Sequence, residues 1–474
     1  MQARNQVNDV QAAYEKLRRA QRRAPFPSAE ERDDRLARLE RLLVKHRDEF
    51  CRAIDEDFGV RSRGESLSAD VLLTLDGVRA ARKHLRAWMR RRPVAPHPLF
   101  RPSRAFVEFL PRGVVAVIAP WNYPVNLALG PLSGALAAGN RCLVKPSELT
   151  PRTSALIARA VAETFTAEEV AVVEGGPDVA EAVTRLPLDH LLFTGSTHIG
   201  RKVAKACAEN LVPVTLELGG KSPALVHESY DLERAAERIA VGKLFNGGQT
   251  CIAPDYALVP MGREQALVAA LRRAVDKAYP RLEGFTSIAS DRAHARLVGL
   301  VADARAKGAQ VVELGALAKA GRVMSPVVLV GVTDEMAVMQ EEIFGPILPI
   351  ETYARLDEAV ERIAARPRPL AFYYFDDDAR RCDDVLKRVT SGGACLNDCL
   401  VHFAQENLPF GGVGPSGMGA YHGVTGFETF SHARSVLDAS VVSPARRVLK
   451  PPFGKVVETS LEVLISGAKS LLGR

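Results

Sequence analysis

The sequence lacks several features that would assign it to a specialised class of protein. No apolar run approaches the roughly eighteen residues that a membrane span needs, and the first residues contain no apolar signal core. The seven cysteines are scattered and odd in number, which indicates reduced thiols rather than a disulfide framework. Cys395 and Cys399 have neither a second pair nor a histidine cluster at zinc spacing. We therefore expect a cytoplasmic protein without a bound metal.

Composition and charge are those of an ordinary globular protein with a moderate basic excess. The chain has 474 residues, of which 47% are hydrophobic and 25% charged, and this length predicts two or three domains. The formal net charge is +7, with much of the excess in Arg18–Arg23, in Arg82–Arg104 and after Arg446. Because these runs lack interleaved aromatic residues, they indicate solvated helix faces and linkers. We expect no nucleic-acid partner.

The C-terminal segment is the candidate for membrane contact. Residues Val456–Leu472 form an amphipathic pattern that also contains Glu458 and Glu462. Helices of this kind can lie on a membrane surface. The two acidic residues favour packing on the protein or on a partner subunit, and that is our expectation.

Residues 8–92 have the periodicity of helices. Apolar residues such as Leu36, Leu39 and Leu43 recur at steps of three and four, with charged residues between them. The following segment, Arg91–Ser103, is rich in proline and arginine. It predicts an irregular connector or an exposed extended segment.

From Val114 onward, short apolar runs alternate with helical segments. The predicted strands are Val114–Ala119, Arg141–Val144, Ala171–Val173, Leu191–Phe193 and Val212–Leu218. The predicted helices between them are Val125–Ala138, Thr153–Phe165, Asp178–Leu186 and Ile199–Asn210. This alternation is typical of βαβ units and a parallel sheet that is covered on both faces. It predicts a Rossmann-like half of the molecule, with ligands at the carboxyl ends of the strands.

The alternation restarts after Lys221 and predicts a second α/β domain. The predicted strands are Ala224–Val226, Ala257–Val259, Gln310–Glu313, Val327–Val330, Ile347–Ile350 and Leu370–Phe375. The predicted helices are Asp231–Leu244, Glu264–Ala278, Arg292–Lys307, Asp357–Ala365 and Ala379–Val389.

A thiol and a carboxylate form the most informative pair in the chain. Cys251 ends the glycine-containing segment Phe245–Cys251, and Glu217 lies thirty-four residues earlier in Val214–Gly220. A free thiol is largely protonated at neutral pH, so a catalytic thiol needs a polarising site or a partner. A cysteine after two glycines is more often an inert small residue when it is considered alone. Together the two residues predict a nucleophile and its general base.

Polar residues follow the first two predicted strands. Asn122, in the segment Pro120–Pro124, is able either to donate a hydrogen bond to an oxyanion or to cap the next helix. Lys145 and Glu148 end the second strand and suit the ribose hydroxyls of a cofactor, although a plain surface turn explains them equally well.

Phe193–Gly200 has the order strand, glycine turn and helix start. Backbone amides there would face a diphosphate, while a plain turn is the alternative. The segment lacks the Gly-x-Gly-x-x-Gly spacing of the general dinucleotide fingerprint. Gly219–Ser222 resembles half of a P-loop, but Thr215 stands where the first glycine should be, which excludes a nucleoside triphosphate site.

Two later segments have looser signals. Glu341–Pro346 places a carboxylate beside an aromatic ring ahead of a strand, and alone it indicates only a turn at a helix end. Leu408–Gly419 is rich in glycine, which permits close approach of the backbone to a substrate or another strand.

Taken together, these segments resemble the aldehyde dehydrogenase superfamily from about Arg32 to Ser435. Cys251–Tyr256 and Ser416–Gly423 resemble its class 3 branch. Asp57–Gly59, Trp88-Met89 and Ala404-Gln405 are most similar to bacterial coniferyl aldehyde dehydrogenases.

The resemblance implies a role for each matching residue. Cys251 matches the nucleophile, Glu217 the general base and Asn122 the oxyanion donor. The positions that match cofactor contacts are Trp121, Lys145, Glu148, Gly195, Ser196, Gly200, Leu218, Glu342 and Phe344. The implied cofactor is NAD, with NADP as a second option, and the implied assembly is a homodimer.

The resemblance also implies an α/β fold of three parts. We expect an NAD(P)-binding domain from residues 1–88 and 114–217, and a catalytic domain from residues 218–402. Residues 89–113 and 403–455 would form the bridging and oligomerisation segments, and residues 456–474 the amphipathic tail.

The implied activity is oxidation of an aldehyde to a carboxylic acid through a cysteine thiohemiacetal and a thioester. Tyr123, Phe245, Phe403 and Phe410 are candidate pocket walls, which favours an aromatic, coniferaldehyde-like substrate. Medium-chain or fatty aldehydes are the alternative. A cofactor-independent thiol esterase would leave Lys145 and Glu148 unexplained, and a binding protein on an inactive enzyme fold would not need the nucleophile and base.

Overall fold

The computed structural model describes residues 2–280, 284–315, 321–439, 443 and 445–471. Three sheets organise the described chain, with six, seven and three strands. The final residues 472–474 of the predicted tail lie outside the described part.

The six-stranded sheet has the order β15-β7-β6-β3-β4-β5. Its strands are β3 (Val114–Ile118), β4 (Arg141–Lys145), β5 (Val170–Val172), β6 (His190–Thr194), β7 (Val214–Glu217) and β15 (Gly417–Met418). All neighbours pair in parallel except β15, which pairs antiparallel with β7. Every residue of β3 and β4 is buried, because helices cover both faces of the sheet.

The helices that accompany this sheet include the N-terminal region. They are α1 (Gln2–Arg23), α2 (Ala29–Phe58), α3 (Arg63–Glu65), α4 (Leu73–Trp88), α5 (Pro124–Ala137), α6 (Pro151–Thr164), α7 (Pro177–Thr184) and α8 (Thr197–Ala208), with a wide π-helical turn at Ser66–Leu72. A capping box of Ser28 and Glu31 begins α2, and Gly59 with φ +89° ends it. The predicted apolar stripe of α2, which contains Leu36, Leu39 and Leu43, is buried.

The seven-stranded sheet has the order β10-β11-β12-β9-β8-β13-β14. Its strands are β8 (Pro223–Val226), β9 (Tyr256–Pro260), β10 (Gln310–Glu313), β11 (Val327–Val330), β12 (Ile347–Tyr353), β13 (Ala371–Phe375) and β14 (Gly393–Leu396). Its helices are α9 (Leu232–Leu244), α10 (Glu264–Ala278), α11 (Asp291–Ala306), α12 (Ala337–Gln340), α13 (Leu356–Ala365) and α14 (Ala379–Arg388). The edge strand β10 is antiparallel to β11, and the other pairs are parallel.

The third sheet is antiparallel and has the order β1-β2-β16. It consists of β1 (Arg92–Val94), β2 (Arg104–Pro111) and β16 (Ser431–Asp438). The last helices of the described chain are α15 (Gly423–Thr429), α16 (Ala445–Val448) and α17 (Lys455–Leu471). A search of the described residues finds no helix with the length and apolar character of a membrane span.

The alternation predicted from the sequence is confirmed for both large sheets. Gln310–Glu313 and Val327–Val330 have the predicted bounds, and the other predicted strands agree within a few residues. The prediction of parallel pairing applies to the inner strands, whereas the edge strands β10 and β15 run antiparallel. The segment Arg91–Ser103 is exposed and partly extended, since it contains β1.

Candidate active site

A tight turn after α9 positions the thiol of Cys251. Asn246, Gly247 and Gly248 have φ values of +55°, +60° and +76°. A side chain at Gly248 would overlap the carbonyl of Gly345, so this position requires glycine on grounds of both space and conformation. The cysteine loop therefore lies directly against the segment that contains Glu342 and Phe344.

The side chain of Gln249 fixes this loop from within. Its Nε2 donates to the carbonyls of Asn246 at 3.0 Å and Ser287 at 2.9 Å, and its Oε1 accepts from the N–H of Ala289 at 2.9 Å. Gln249 is fully buried. All three hydrogen bonds hold the loop without using the groups around the sulfur.

Cys251 is partly buried, and its sulfur is held in the thiol form. Burial, together with the carboxyls of Glu342 and Glu217, raises the pKa of this thiol to about 12. The backbone N–H groups of Cys251 and Ile252 oppose these effects. A nearby positive charge would be needed to favour the thiolate at neutral pH.

Glu217 is the last residue of β7 and lies 3% exposed at the carboxyl end of the six-stranded sheet. Among the described residues, neither carboxyl oxygen has a hydrogen-bond partner. Burial raises its pKa well above the ordinary value. A buried carboxyl without a partner is costly, and such groups are frequent at functional sites.

Glu217 and Cys251 line the same cavity. The four predicted wall residues Tyr123, Phe245, Phe403 and Phe410 also line it, which confirms that prediction. Apolar side chains from several segments complete the walls, among them Leu72, Leu73, Leu127, Val241, Leu400, Val401 and Tyr421. The cavity therefore joins a reactive end to a long apolar wall.

Asn122 lies beside the cysteine loop and is 3% exposed. Its side-chain nitrogen donates to the carbonyl of Gln249 at 3.1 Å, which leaves one of its two N–H bonds for another acceptor. The backbone carbonyl of Asn122 accepts hydrogen bonds from the Arg61 guanidinium and from the side-chain amide of Asn246, both at 2.9 Å. Asn122 is thus tied to the thiol loop and is not an N-terminal cap of α5.

A buried ion pair supports Asn122 through the hydrogen bond that Arg61 donates to it. The sequence contained no signal for this pair. Arg61 and Asp70 are both inaccessible to solvent and 3.0 Å apart. Asp70 also accepts from the N–H groups of Val125 and Asn126, so it caps α5 from a distant segment. Breaking this pair would leave an uncompensated charge in the core.

The predicted cofactor residues lie at the carboxyl ends of β4, β6 and β7. Lys145 is buried and pairs with the half-exposed Glu148 at 2.5 Å. Ser196 caps α8 through the N–H of Ile199 at 3.4 Å. A methyl group on Gly195 would meet the Phe193 ring at 2.5 Å, and one on Gly200 would meet Leu218 at 2.5 Å. Gly195 and Gly200 therefore stand where a larger residue would clash.

Glu342, Phe344 and Trp121 form the opposite wall of the cofactor side. The Glu342 carboxyl covers Gly219 and accepts from the N–H of Gly220. Burial raises its pKa to about 8, and Asp255 adds to the shift. Phe344 has a φ of +50° and meets the Trp121 ring edge-on with 5.4 Å between centroids.

These features fit a dinucleotide. The N-terminus of α8, which follows Gly195, suits a diphosphate, and Lys145 with Glu148 suits ribose hydroxyls. Across the described residues, no group of three or more metal-ligating side chains is found.

The model of the aldehyde dehydrogenase family matches residues 2–436. The chain belongs to the aldehyde dehydrogenase family. Enzymes of this family oxidise an aldehyde to a carboxylic acid with NAD(P), and this is the activity of the chain. A probable coniferyl aldehyde dehydrogenase of Pseudomonas aeruginosa is 47% identical over 460 residues, which cover 96% of each chain.

Other aldehyde dehydrogenases confirm the predicted branch and cofactor. Aldehyde dehydrogenase family 3 member B3 of Mus musculus is 40% identical and covers 89% of this chain and 88% of its own. The substrate-bound state of Staphylococcus aureus AldH has a TM-score of 0.91 at 36% identity, covering 96% of this chain and 99% of that one. The Mycobacterium tuberculosis aldehyde dehydrogenase complexed with NAD+ has a TM-score of 0.83 at 28% identity, with coverage of 91% and 90%.

Proposed function

We propose that this aldehyde dehydrogenase oxidises a coniferaldehyde-like aromatic aldehyde, with Cys251 as nucleophile, Glu217 as general base and Asn122 as oxyanion donor. The observation that supports these roles most is the position of Cys251 and Glu217 in one cavity, with the Glu217 carboxyl buried and unsatisfied within the described chain. A base that must take a proton from water needs such an environment.

The first step is attack of the Cys251 sulfur on the aldehyde carbon to give a thiohemiacetal. The oxyanion accepts from the free N–H of Asn122, a contact of a kind typically worth roughly 3–4 kcal/mol of barrier. A bound nicotinamide supplies the hydride acceptor. Glu217 then takes a proton from the water that hydrolyses the remaining thioester.

Two walls would hold the cofactor. The start of α8 would face the diphosphate, with Ser196 at the N-cap, Gly195 and Gly200 leaving room beside it, and Leu218 packed against Gly200. Lys145 and Glu148 would bind ribose hydroxyls, where a glutamate disfavours a 2′-phosphate. Glu342, Phe344 and Trp121 would bind the nicotinamide side.

An aromatic substrate is favoured by the rings in the cavity and by the likeness to coniferyl aldehyde dehydrogenases. Tyr123 and Phe245 are near-parallel with 6.5 Å between centroids, and Phe403 meets Phe410 edge-on at 4.7 Å. A medium-chain aliphatic aldehyde is the second candidate, because Leu72, Leu127 and Val241 offer an equally apolar wall.

The assembly and location complete the proposal. We propose that residues 1–88 and 114–217 form the NAD(P)-binding domain and residues 218–402 the catalytic domain, and that the antiparallel sheet joins two subunits of a homodimer. The open edge of β14 and the exposed face of β16 are surfaces that a second copy would cover. All seven cysteines are described and unpaired, which supports a cytoplasmic location.

The deciding experiment is the substitution Cys251→Ala. We expect NADH production from coniferaldehyde to disappear while NAD binding, measured by calorimetry, persists. A variant that still oxidises the aldehyde would refute the role of Cys251. A panel of aromatic and aliphatic aldehydes with both cofactors then ranks the two substrate classes.

A further inference from the structure

The mouth of the cavity contains a pair of opposite charges that the proposed reaction does not use. Arg238 and Asp398 line the cavity, and Glu217 is the only other charged side chain on its described walls. Their side chains are 50% and 31% exposed, whereas Glu217 is 3% exposed. The charged pair therefore lies at the solvent end, opposite the reactive end.

The geometry of α9 fixes the distance between the two ends. Arg238, Val241 and Phe245 all line the cavity, and their spacing of three and four residues places them on one face of the helix. A rise of 1.5 Å per residue separates Arg238 from Phe245 by about 10 Å along the axis. Phe245 follows α9 and begins the turn that leads to Cys251, so Arg238 lies about two helical turns before the segment of the thiol.

The opposite wall is held rigidly to the thiol loop. The Tyr373 hydroxyl donates to the carbonyl of Ile252 at 2.5 Å and accepts from the N–H of Leu400 at 3.4 Å. Asn397 is fixed by two hydrogen bonds to the backbone of Asp376 at 2.8 and 3.0 Å. The loop that contains Asp398 therefore has a set position relative to the sulfur.

Arg238 and Asp398 are close without satisfying each other. The nearest Arg238 nitrogen is 4.0 Å from Asp398 Oδ2, which is longer than a hydrogen bond. Asp398 Oδ1 accepts a hydrogen bond from the N–H of Cys399 at 2.7 Å, and Oδ2 is the oxygen nearest the Arg238 guanidinium. Within the part of the chain that the structure describes, the Arg238 guanidinium makes no hydrogen bond.

A neutral hydroxyl fits this gap better than any charged group. It donates to Asp398, which only accepts, and accepts from Arg238, which only donates. A carboxylate would be repelled by Asp398, an ammonium would be repelled by Arg238, and an alkyl end would desolvate both without replacing their partners.

We propose that Arg238 and Asp398 form a subsite that binds the ring hydroxyl of a hydroxy-aromatic aldehyde whose carbonyl lies at Cys251. This inference rests on the proposed function and specifies its substrate class. The aldehyde class that we assign to this subsite is a phenylpropenal, whose carbonyl and para-hydroxyl are farther apart than those of a hydroxybenzaldehyde.

The test compares 4-hydroxycinnamaldehyde with unsubstituted cinnamaldehyde by kcat/KM at saturating NAD. We expect the wild-type enzyme to prefer the hydroxylated aldehyde by about tenfold, the size of one partly exposed hydrogen bond to a charged group. Asp398→Asn and Arg238→Met should each reduce this ratio toward one, because kcat/KM for 4-hydroxycinnamaldehyde falls more than kcat/KM for cinnamaldehyde. The conservative Asp398→Asn keeps the acceptor for Cys399, so it preserves the loop.

Arg234→Met is the matched control. Arg234 lies one turn earlier on α9, is paired with Asp377 at 3.6 Å and does not line the cavity, so its removal should leave the ratio intact. A wild-type ratio near one, or a ratio insensitive to both subsite variants, would overturn the subsite alone. Preference for 4-carboxycinnamaldehyde would show an anion subsite instead. Failure to oxidise any aromatic aldehyde would refute the proposed substrate class as well.

Discussion

Lys221 and Asp255 form an ion pair that joins three parts of the active site. Their side chains are only 14% and 5% exposed. Lys221 also donates to the carbonyls of Val338 at 2.8 Å and Glu341 at 3.1 Å. Asp255, which follows the cysteine loop, accepts from the N–H of Ile343 at 2.9 Å. The pair thus fixes the segment that ends in Glu342 and Phe344 against the thiol loop and the end of β7.

Replacing Lys221 with methionine should loosen the cofactor wall. We expect KM for NAD to rise about tenfold, and the unfolding free energy to fall by roughly 3–5 kcal/mol because Asp255 loses its buried partner. Steady-state kinetics and denaturant unfolding measure both effects. Lys307→Met is the control, since Lys307 makes a similar pair with Asp303 at 2.7 Å at an exposed position. An unchanged KM in Lys221→Met would contradict the positioning role.

Replacing Glu217 with glutamine should separate the two halves of the reaction. Without the base, the thioester forms but is hydrolysed slowly. We expect a rapid burst of NADH close to one equivalent per site, followed by turnover reduced about a hundredfold or more. Stopped-flow absorbance detects the burst. Equal losses in the burst and the steady-state rate would argue against Glu217 as the base.

The same substitution should change how stability depends on pH. The pKa of Glu217 is raised in the folded protein, so above the pKa of the unfolded chain the folded state binds the extra proton. Stability then falls as pH rises, with a slope of up to about 1.36 kcal/mol per pH unit from this group. Glu217→Gln removes this slope, so its stability relative to wild type should increase as the pH rises above about 5. Denaturant unfolding across this range measures the difference, and the exposed Glu462→Gln should follow the wild type.

A methyl group at Gly219 should disturb the cofactor wall with little effect on the fold. Gly219→Ala would overlap the carboxyl oxygens of Glu342, which lie at the end of a flexible side chain. We expect a rise of about tenfold in KM for NAD and a loss of stability below about 1 kcal/mol. Gly299→Ala, inside α11 with no atom near the added methyl, should stabilise by up to about 1 kcal/mol and leave KM unchanged. Identical kinetics for the two variants would exclude a contact between Glu342 and the cofactor.

Much of this architecture was predictable because it follows from local patterns. Parallel strands with buried faces are continuous apolar runs, so β3, β4 and β7 were recognisable together with the polar residues at their ends. The carboxyl ends of such strands meet at one edge, which is why ligands were expected at that edge.

Other features depend on contacts between distant segments and had no local signal. The pairing of β2 with β16 joins residues separated by roughly 320 positions, such as Pro111 and Ser431. The buried ion pair of Arg61 and Asp70 is recognisable only in the folded structure, where the start of α5 lies against Asp70. The same is true of Tyr373, which the sequence presents as one more aromatic residue in a strand.

The two hydrogen bonds of Tyr373 have a practical consequence for anyone who redesigns this enzyme. Its hydroxyl connects the loop that contains Asp398 and Leu400 to the segment that positions the sulfur of Cys251. Exchanging the loop that contains Asp398 and Leu400 for that of another enzyme would therefore also shift the nucleophile. A change that breaks these hydrogen bonds would alter the substrate range and the turnover rate together. Substrate selectivity can be varied at constant reactivity in libraries that keep Tyr373 and its hydrogen bonds to the Ile252 carbonyl and the Leu400 N–H.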